Sequence, residues 1–416
     1  MEIMILEKIN ARIKARGGTL YFVGGLVRDQ ILGRETNDID LLVCNISKDD
    51  LENVLASYNP VFCGASFGVY KIGNYDIAMP RTEKSVGLGH KDFNVSLNEG
   101  ISIAEDLRRR DFTINAIARE FGTNNIIDPF NGIDDIRNKL IKKISAHSIK
   151  EDYLRALRAI QFAARLDFNI EASTLEMISE HKNLLSTIST ERIQVEFNKL
   201  LLAKNIQLGF GYMLSTGLLE YLVPHLFKIQ KKSSEDYFNV LNSVTETDMD
   251  ITLRLALLFQ SNNTDTISNK NNFCVINIVN EARQFLNKLK YSNSIKNSVL
   301  AIISNTITET TNFVLKKSIG MIGETQCKRI LIYNLYRQHS NAGKIDVQGL
   351  LSKIEKLISS GEALSLSDLA IDGNDLLSLG IQGQAIGKTL NSLLDMVLKQ
   401  PSKNTKKQLL QIAQNN

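Results

Sequence analysis

The sequence predicts an α+β protein, with an α/β head followed by an all-helical remainder. Three observations point there. Up to about residue 145 the chain runs in short β-rich stretches broken by turns, such as "TLYFVGG" (19–25), "DIDLLV" (38–43) and "GVYKIGNYDIAMP" (68–80). From residue 148 onward, apolar residues recur at helical spacing. The chain has 416 residues, 43% of them hydrophobic, which suits two or three separately cored domains.

Composition narrows the function classes. The net charge is +4, so any basic surface for nucleic acid must be local. Cys44, Cys63, Cys274 and Cys327 are scattered with no C-x-x-C. That argues against a disulfide framework or a zinc site and fits a reducing compartment. The start, "MEIMILEKINARIKARGG", carries charges throughout and does not read as a signal peptide. No apolar run approaches a membrane span. The expectation is a soluble cytoplasmic protein with no membrane partner; no protein partner is inferred. There is no internal repeat at solenoid spacing.

The elements follow in order. "TLYFV" reads as a strand that ends in Gly24-Gly25, and a short helix follows from about Leu26 to Ile31. Leu41, Leu42 and Val43 continue a second, buried strand. Gly73-Asn74 reads as a hairpin turn between Val69–Ile72 and Tyr75–Met79. In "SIKEDYLRALRAIQFAARLDF" (148–168), Leu154, Leu157, Ile160, Phe162 and Ala164 form a helical stripe. Thr190 reads as the N-cap of "TERIQVEFNKLLL". Residues 261–272 are polar and read as a loop or boundary. In the tail, the glycines of "GIQGQAIGK" (380–388) suit a helix–turn–helix whose amides would meet an RNA phosphate, or a plain helix C-cap and turn. Lys399, Lys403, Lys406 and Lys407 close the chain.

Two acids open the second strand. Residues i and i+2 of a strand share a face, so Asp38 and Asp40 would present both carboxylates to one point. Like charges held together need a cation or a proton between them. Mg2+ is typically held by one or two carboxylates plus substrate phosphates. An acidic turn, with Asp38 capping and Asp40 solvated, is the alternative, and D-x-D alone favours it. Upstream context shifts the balance. Gly24 and Gly25 let the backbone approach a ligand, the helix start suits a phosphate, and Arg28 adds a forked donor. Against this stands a tight strand–helix turn with Arg28 paired to Asp29. A phosphate cradle followed within one strand by two metal ligands is a nucleotidyl-transfer layout.

At this point the sequence resembles the bacterial-type (class II) CCA-adding tRNA nucleotidyltransferases and poly(A) polymerases, of the polymerase-β-like superfamily. The resemblance rests on "GGLVRDQILGRETNDIDLLV" (24–43), "DLRRRDFTINAIA" (106–118), "IDPFNGIDDI" (127–136), "EDYLRALRAIQFAARLDF" (151–168) and "ERIQVEFNKLL" (191–201), in the family's order and spacing. Near the end, "LAIDGNDLLSLGIQGQAIGKTL" (369–390) is also similar. The resemblance implies a catalytic head over 1–145, a helical neck with a base template over 146–205, a body over 206–330 and a tRNA-binding tail over 331–416. It implies that Arg110 contacts the nucleotide, and that Arg158 lies on the same nucleotide-binding helix. Asp152 and Arg155, three apart on one helix face, would act as the protein template for the base. Cytosine and adenine both present an amino donor beside a ring-nitrogen acceptor, which a carboxylate and a guanidinium match. Uracil and guanine mismatch both contacts. The implied reaction uses Mg2+ at Asp38 and Asp40: the RNA 3′-hydroxyl attacks the α-phosphorus of CTP or ATP and pyrophosphate leaves. Asp76 is a candidate third acid, with an ion pair to Arg81 as the alternative.

Within the family, the basic signature of bacterial poly(A) polymerases is missing from "GASFGVYKIG" (64–73), which favours a tRNA enzyme. Residues 81–100 look like the flexible loop of full CCA-adders; an A-only enzyme is the alternative. There is no His-Asp pair for a second, phosphohydrolase activity. Gln161 stands where several relatives place an arginine. A non-catalytic RNA-binding protein on the same fold is the reading from a different class, and the intact Asp38/Asp40 pair speaks against it.

Overall fold

The computed structural model describes residues 2–36, 39–63, 68–85, 93–97, 100–123, 125–260, 272–307, 309–338 and 346–415. The chain forms two compact units, Met1–Phe227 and Lys228–Asn416.

The first unit is built on a seven-stranded sheet. Its strands are β1 (Thr19–Val23), β2 (Ile39–Cys44), β3 (Val61–Cys63), β4 (Val69–Ile72), β5 (Tyr75–Ala78), β8 (Ala118–Glu120) and β9 (Ile126–Ile127). They lie in the order β3-β4-β5-β2-β1-β8-β9. Only β2 and β5 pair parallel among these neighbours; the other pairs are antiparallel. Central β2 explains the unbroken apolar run. Leu41 and Val43 join a core with Leu20, Ile9 and Leu51 on one face. Leu42 and Cys44 join Tyr21, Val23 and Leu107 on the other. Strand alternation puts Asp40 on the same side as Leu42 and Cys44. That face carries α4 (Ile103–Arg108), whose Ser102 and Glu105 form a capping box. Helices α1 (Glu2–Lys14), α2 (Gly25–Ile31) and α3 (Lys48–Leu55) complete this region.

The expected hairpin is present, with Ile72 opposite Tyr75 and Gly73 at φ 58°, the positive value a two-residue hairpin turn requires. Residues 81–85 and 93–97, expected as part of a flexible loop, are instead the paired strands β6 (Arg81–Ser85) and β7 (Phe93–Leu97). Residues 86–92 and 98–99 lie outside the described residues, as do 261–271 of the expected polar boundary.

Helices then take over: α5 (Gly132–Arg137), a short parallel pair β10 (Leu140–Ile141) and β11 (Asn169–Ile170), α6 (Ser148–Glu151), α7 (Leu154–Leu166), α8 (Ala172–Glu180), α9 (Thr190–Leu201), α10 (Ile206–Ser215), α11 (Leu218–Leu222) and α12 (Pro224–Lys232). The predicted stripe is the buried face of α7, with Leu157 and Ile160 3% and 0% exposed. Helix α7 packs on α9 and α10. Gly209 permits the approach of α10, because a Cβ there would lie 2.3 Å from a Leu200 methyl. The N-cap of α9 is Ser189, one residue before the expected Thr190.

The second unit is helical: α13 (Ser234–Glu246), α14 (Ile251–Leu257), α15 (Asn272–Lys288), α16 (Asn293–Ser304), α17 (Asn312–Ile322), α18 (Glu324–Gln338), α19 (Val347–Ser359), α20 (Gly373–Ser378), α21 (Gln384–Lys399) and α22 (Lys406–Gln414). Leu315, Leu331 and Ile354 share one core; Leu376, Leu393 and Leu409 share another. In the tail α20 and α21 are joined by a turn through Gly380 at φ 86° and Gly383 at φ 59°, which fits either reading of those glycines. Two of its lysines have local partners: Lys399 lies over Phe313 at 4.8 Å and Lys406 pairs with Asp375 at 2.7 Å. Among the described residues no helix is long and apolar enough to cross a membrane.

Candidate active site

A cavity of about 630 Å³ opens in the first unit. Its described lining holds nine arginines and lysines against four aspartates, so its field favours an anion.

Gly24 shows how the wall is built. It ends β1 at φ 69° and ψ −132°, which an L side chain rarely adopts. A Cβ there would lie 2.6 Å from Arg110 Nη1 and 3.7 Å from Asp40 Oδ2. The turn, the arginine and the carboxylate thus converge, from positions 16 and 86 residues or so apart in the chain. Gly25 and Arg28 also line the cavity. Asp40 is exposed on its wall, and in the β2–β5 ladder it stands directly opposite Asp76. Oxygen donors of this kind suit a hard divalent cation. Asp76 pairs with Lys71 at 3.4 Å. Asp38 lies outside the described residues.

Arg28 departs from the forked phosphate donor expected of it. It is 5% exposed. Its Nε and Nη2 donate to Asp29 at 2.9 Å each, and Nη1 donates to Asn115 Oδ1 at 2.6 Å. The fork is therefore engaged by the neighbouring carboxylate, the pairing left open from the sequence.

Buried Asp106 holds two of the three arginines in the run Arg108–Arg110, and buried Asp111, which follows the run, holds Arg158. Asp106 is fully buried and accepts from Arg109 Nε at 2.8 Å, with Arg110 Nη2 3.5 Å from its other oxygen. Burial lowers the pKa of Arg110, and Asp106 opposes the shift. Asp111 accepts from Asn115 at 2.9 Å and from Arg158 Nε at 2.8 Å. Burial works against its ionisation, but Arg158, Asn115 and Arg155 outweigh it and hold the carboxyl at about 2. Arg158 also reaches buried Glu196 at 3.4 Å.

The template pair differs from its expected geometry. Asp152 is not on a shared helix face with Arg155. It is the C-cap of α6 at φ −141° and ψ 97°, in the break before α7. Its carboxylate is held by Arg192, with Nη2 to Oδ2 2.6 Å, and it accepts from the Leu154 N–H at 3.1 Å. Arg155 donates instead to the Ser148 carbonyl at 3.0 Å and to the Arg109 carbonyl. Both side chains line the cavity. The extended backbone at Asp152 frees its side chain from the helix wall, which i,i+3 spacing cannot anticipate.

The sequence reads Asp111 only as the acid beside the arginine triplet Arg108–Arg110, and Asp106, Asn115, Arg165 and Arg192 carry no reading of their own there. Asp106 and Asp111 bracket the arginine triplet, and Arg192 sits in "ERIQVEFNKLL"; these positions were the available signal.

The Poly A polymerase head domain family matches residues 20–142, the probable RNA and SrmB-binding site of polymerase A matches 167–229, and the tRNA nucleotidyltransferase domain 2 (putative) matches 271–413. A CCA-adding enzyme from Limosilactobacillus fermentum is 32% identical over 417 residues, covering 97% of this chain and 95% of that one. The chain belongs to the bacterial class II CCA-adding enzyme family. A Pediococcus pentosaceus CCA-adding enzyme is 30% identical, covering 96% of this chain and 94% of its own. Among solved structures, the Bacillus stearothermophilus CCA-adding enzyme in complex with CTP aligns at a TM-score of 0.75 and 24% identity, over 99% of this chain and 97% of that one. The Thermotoga maritima CCA-adding enzyme complexed with tRNA_CCA aligns at 0.62 and 20% identity, over 99% and 94%. These two likenesses support the fold.

Proposed function

We infer that this chain adds or repairs the 3′-terminal CCA of tRNA from CTP and ATP, without a nucleic-acid template. One observation carries the reading: a family member of near full length gathers Asp40, Arg110, Asp152 and Arg155 on one cation-rich cavity.

The residue roles are our proposal. Asp38 and Asp40 would hold Mg2+, which when bound neutralises triphosphate charge and favours the attacking 3′-hydroxylate. Gly24 and Gly25 let the backbone close on the phosphates, Arg110 supplies positive charge beside them, and Arg28, its fork held by Asp29, backs the same wall. Arg158 lies behind, fixed by Asp111. Asp152 accepts from the exocyclic amine of C or A. Arg155, fixed by two backbone carbonyls, turns its remaining N–H groups to the ring nitrogen. Arg192 reaches both carboxylate oxygens of Asp152, at 2.6 and 3.4 Å, and so orients the carboxylate. The head (1–145), neck (146–205), body (206–330) and tail (331–416) remain our functional division, with the tail meeting tRNA in the cytoplasm.

Sequencing the 3′ ends made from tRNA lacking CCA, with CTP and ATP both supplied, tests the reading. CCA ends support it. Runs of A would indicate poly(A) polymerase, and a single A added only to CC-ended tRNA would indicate the A-only enzyme. No extension at all would leave an RNA-binding protein on the same fold.

A further inference from the structure

Three guanidiniums surround one ring on the cavity wall. The Cζ atoms of Arg28, Arg158 and Arg165 lie 5.2, 5.3 and 6.0 Å from the centroid of Phe162. Two of the three are neutralised: Arg28 by Asp29 at 2.8 Å and Arg158 by Asp111 at 2.7 Å. Arg165 is not. Among the described residues it has no carboxylate within ion-pair distance, and its one hydrogen bond is a long one, 3.5 Å, to Gln161 Oε1. It is exposed on the cavity wall.

Gln161 has the complementary deficit. It is fully buried and lines the same cavity. Its Nε2 has no hydrogen-bond partner. A buried donor left without an acceptor is costly, and such atoms in a native fold usually await a partner. The i,i+4 spacing puts Gln161 and Arg165 on one face of α7. With Oε1 turned to Arg165, the amide has its donor end to spare. Partial burial of its stem and then the charge on Arg28 lower the pKa of Arg165, and Asp29 and Glu196 oppose them from beyond ion-pair distance. The guanidinium thus keeps room for an anion at hydrogen-bond range.

We propose that Gln161 and Arg165 form a phosphate-binding subsite, in which Arg165 supplies the guanidinium and Gln161 orients it and donates beside it. Phosphate oxygens meet both deficits at once: a charge for Arg165 and an acceptor for Gln161. The phosphate belongs to the triphosphate of the incoming nucleotide, because Arg28, on the helix that follows the Gly24–Gly25 turn, stands at the same ring. This rests on the nucleotide-binding reading of the cavity. An RNA backbone phosphate offers the same chemistry, and the test tells the two apart.

The test is equilibrium binding by the full chain, with Mg2+ present, of ATP, inorganic triphosphate and tRNA lacking CCA. The variants are Arg165→Gln, Arg165→Lys and the exchange Gln161→Arg/Arg165→Gln. Arg165→Gln is expected to weaken ATP and inorganic triphosphate in parallel by about tenfold. Arg165→Lys should recover part of the loss and the exchange most of it. A purely structural role would not be restored by the exchange. Binding of both probes within twofold of wild type overturns the proposal, as does loss of ATP with triphosphate retained. Loss of tRNA alone assigns the phosphate to RNA and overturns the triphosphate assignment. If wild type binds triphosphate and Arg165→Gln does not, yet tRNA is never extended, the functional reading falls and the subsite stands. If tRNA is extended and Arg165→Gln binds like wild type, the reverse holds.

Discussion

Arg28, Asp106, Asp111 and Glu196 are all buried around one cavity in the first unit, whereas the buried cations of the second unit, Arg254 and Lys316, lie on different helices, α14 and α17. Arg254 donates to the carbonyls of Thr247 and Asp248, at 2.8 and 3.1 Å, and so ties down the chain before its own helix. Lys316 pairs with Glu362 alone in the described contacts. In the first unit Arg28, Asp106, Asp111 and Glu196 each touch another charged side chain that faces the cavity, while buried Asp135 accepts from Thr113 Oγ1 instead. Burying charge costs stability unless it is paired and hydrogen-bonded. A cluster that bears this cost together at one surface marks a place built for a charged ligand, while solitary pairs serve local packing.

That contrast can be broken or sharpened in five ways, the largest effect first. Asp40→Ala should lower nucleotide addition by more than ~100-fold with an unchanged melting temperature, because the residue is exposed and, on the proposed roles, its loss removes a cation ligand. Turnover within a few-fold of wild type would reduce it to a surface acid. Asp106→Ala should instead cost about 3–5 kcal/mol of stability, by leaving Arg109 and Arg110 without their buried partner. Denaturant unfolding measures it, and a loss under 1 kcal/mol would mean that the arginines relax freely.

Acid should find Asp111 next. Its folded pKa of about 2 is below the ordinary 3.8, so its stabilisation is complete above about pH 4 and is lost as pH falls through 2. The difference is on the order of 2 kcal/mol, and the acid-unfolding curve of Asp111→Asn should be correspondingly flatter between these limits. Asp152→Ala should cut CTP and ATP incorporation by about tenfold and weaken discrimination against UTP. Competition among the three nucleotides checks this; unchanged preference would leave Asp152 as no more than the partner of Arg192. In the second unit, Lys317→Ala breaks a half-exposed pair with Asp395, 2.7 Å long, and should shift stability by less than about 1 kcal/mol. A larger shift would show that solitary pairs there matter as much as the cavity cluster.

The sequence by itself determined the local frame. Alternation in "DIDLLV" placed Asp40 with Leu42 and Cys44, the Gly73-Asn74 turn fixed a hairpin, and the stripe from Leu154 to Ala164 fixed the buried face of α7. These follow from residue spacing within a few positions, where backbone period alone sets which side chains share a face. The motifs also named Gly25, Arg28, Asp40, Arg110, Asp152, Arg155 and Arg158 on the cavity wall. What only the tertiary structure decided are the partners across distance: Asp152 with Arg192, 40 residues on, Arg158 with Asp111, 47 residues back, and Gly24 against the head of Arg110. Arg28 and Gln161 belong with them. Whether a fork is free or already engaged, and whether a buried amide has an acceptor, depends on how α2, α7 and α9 pack around the cavity, and no local period encodes that.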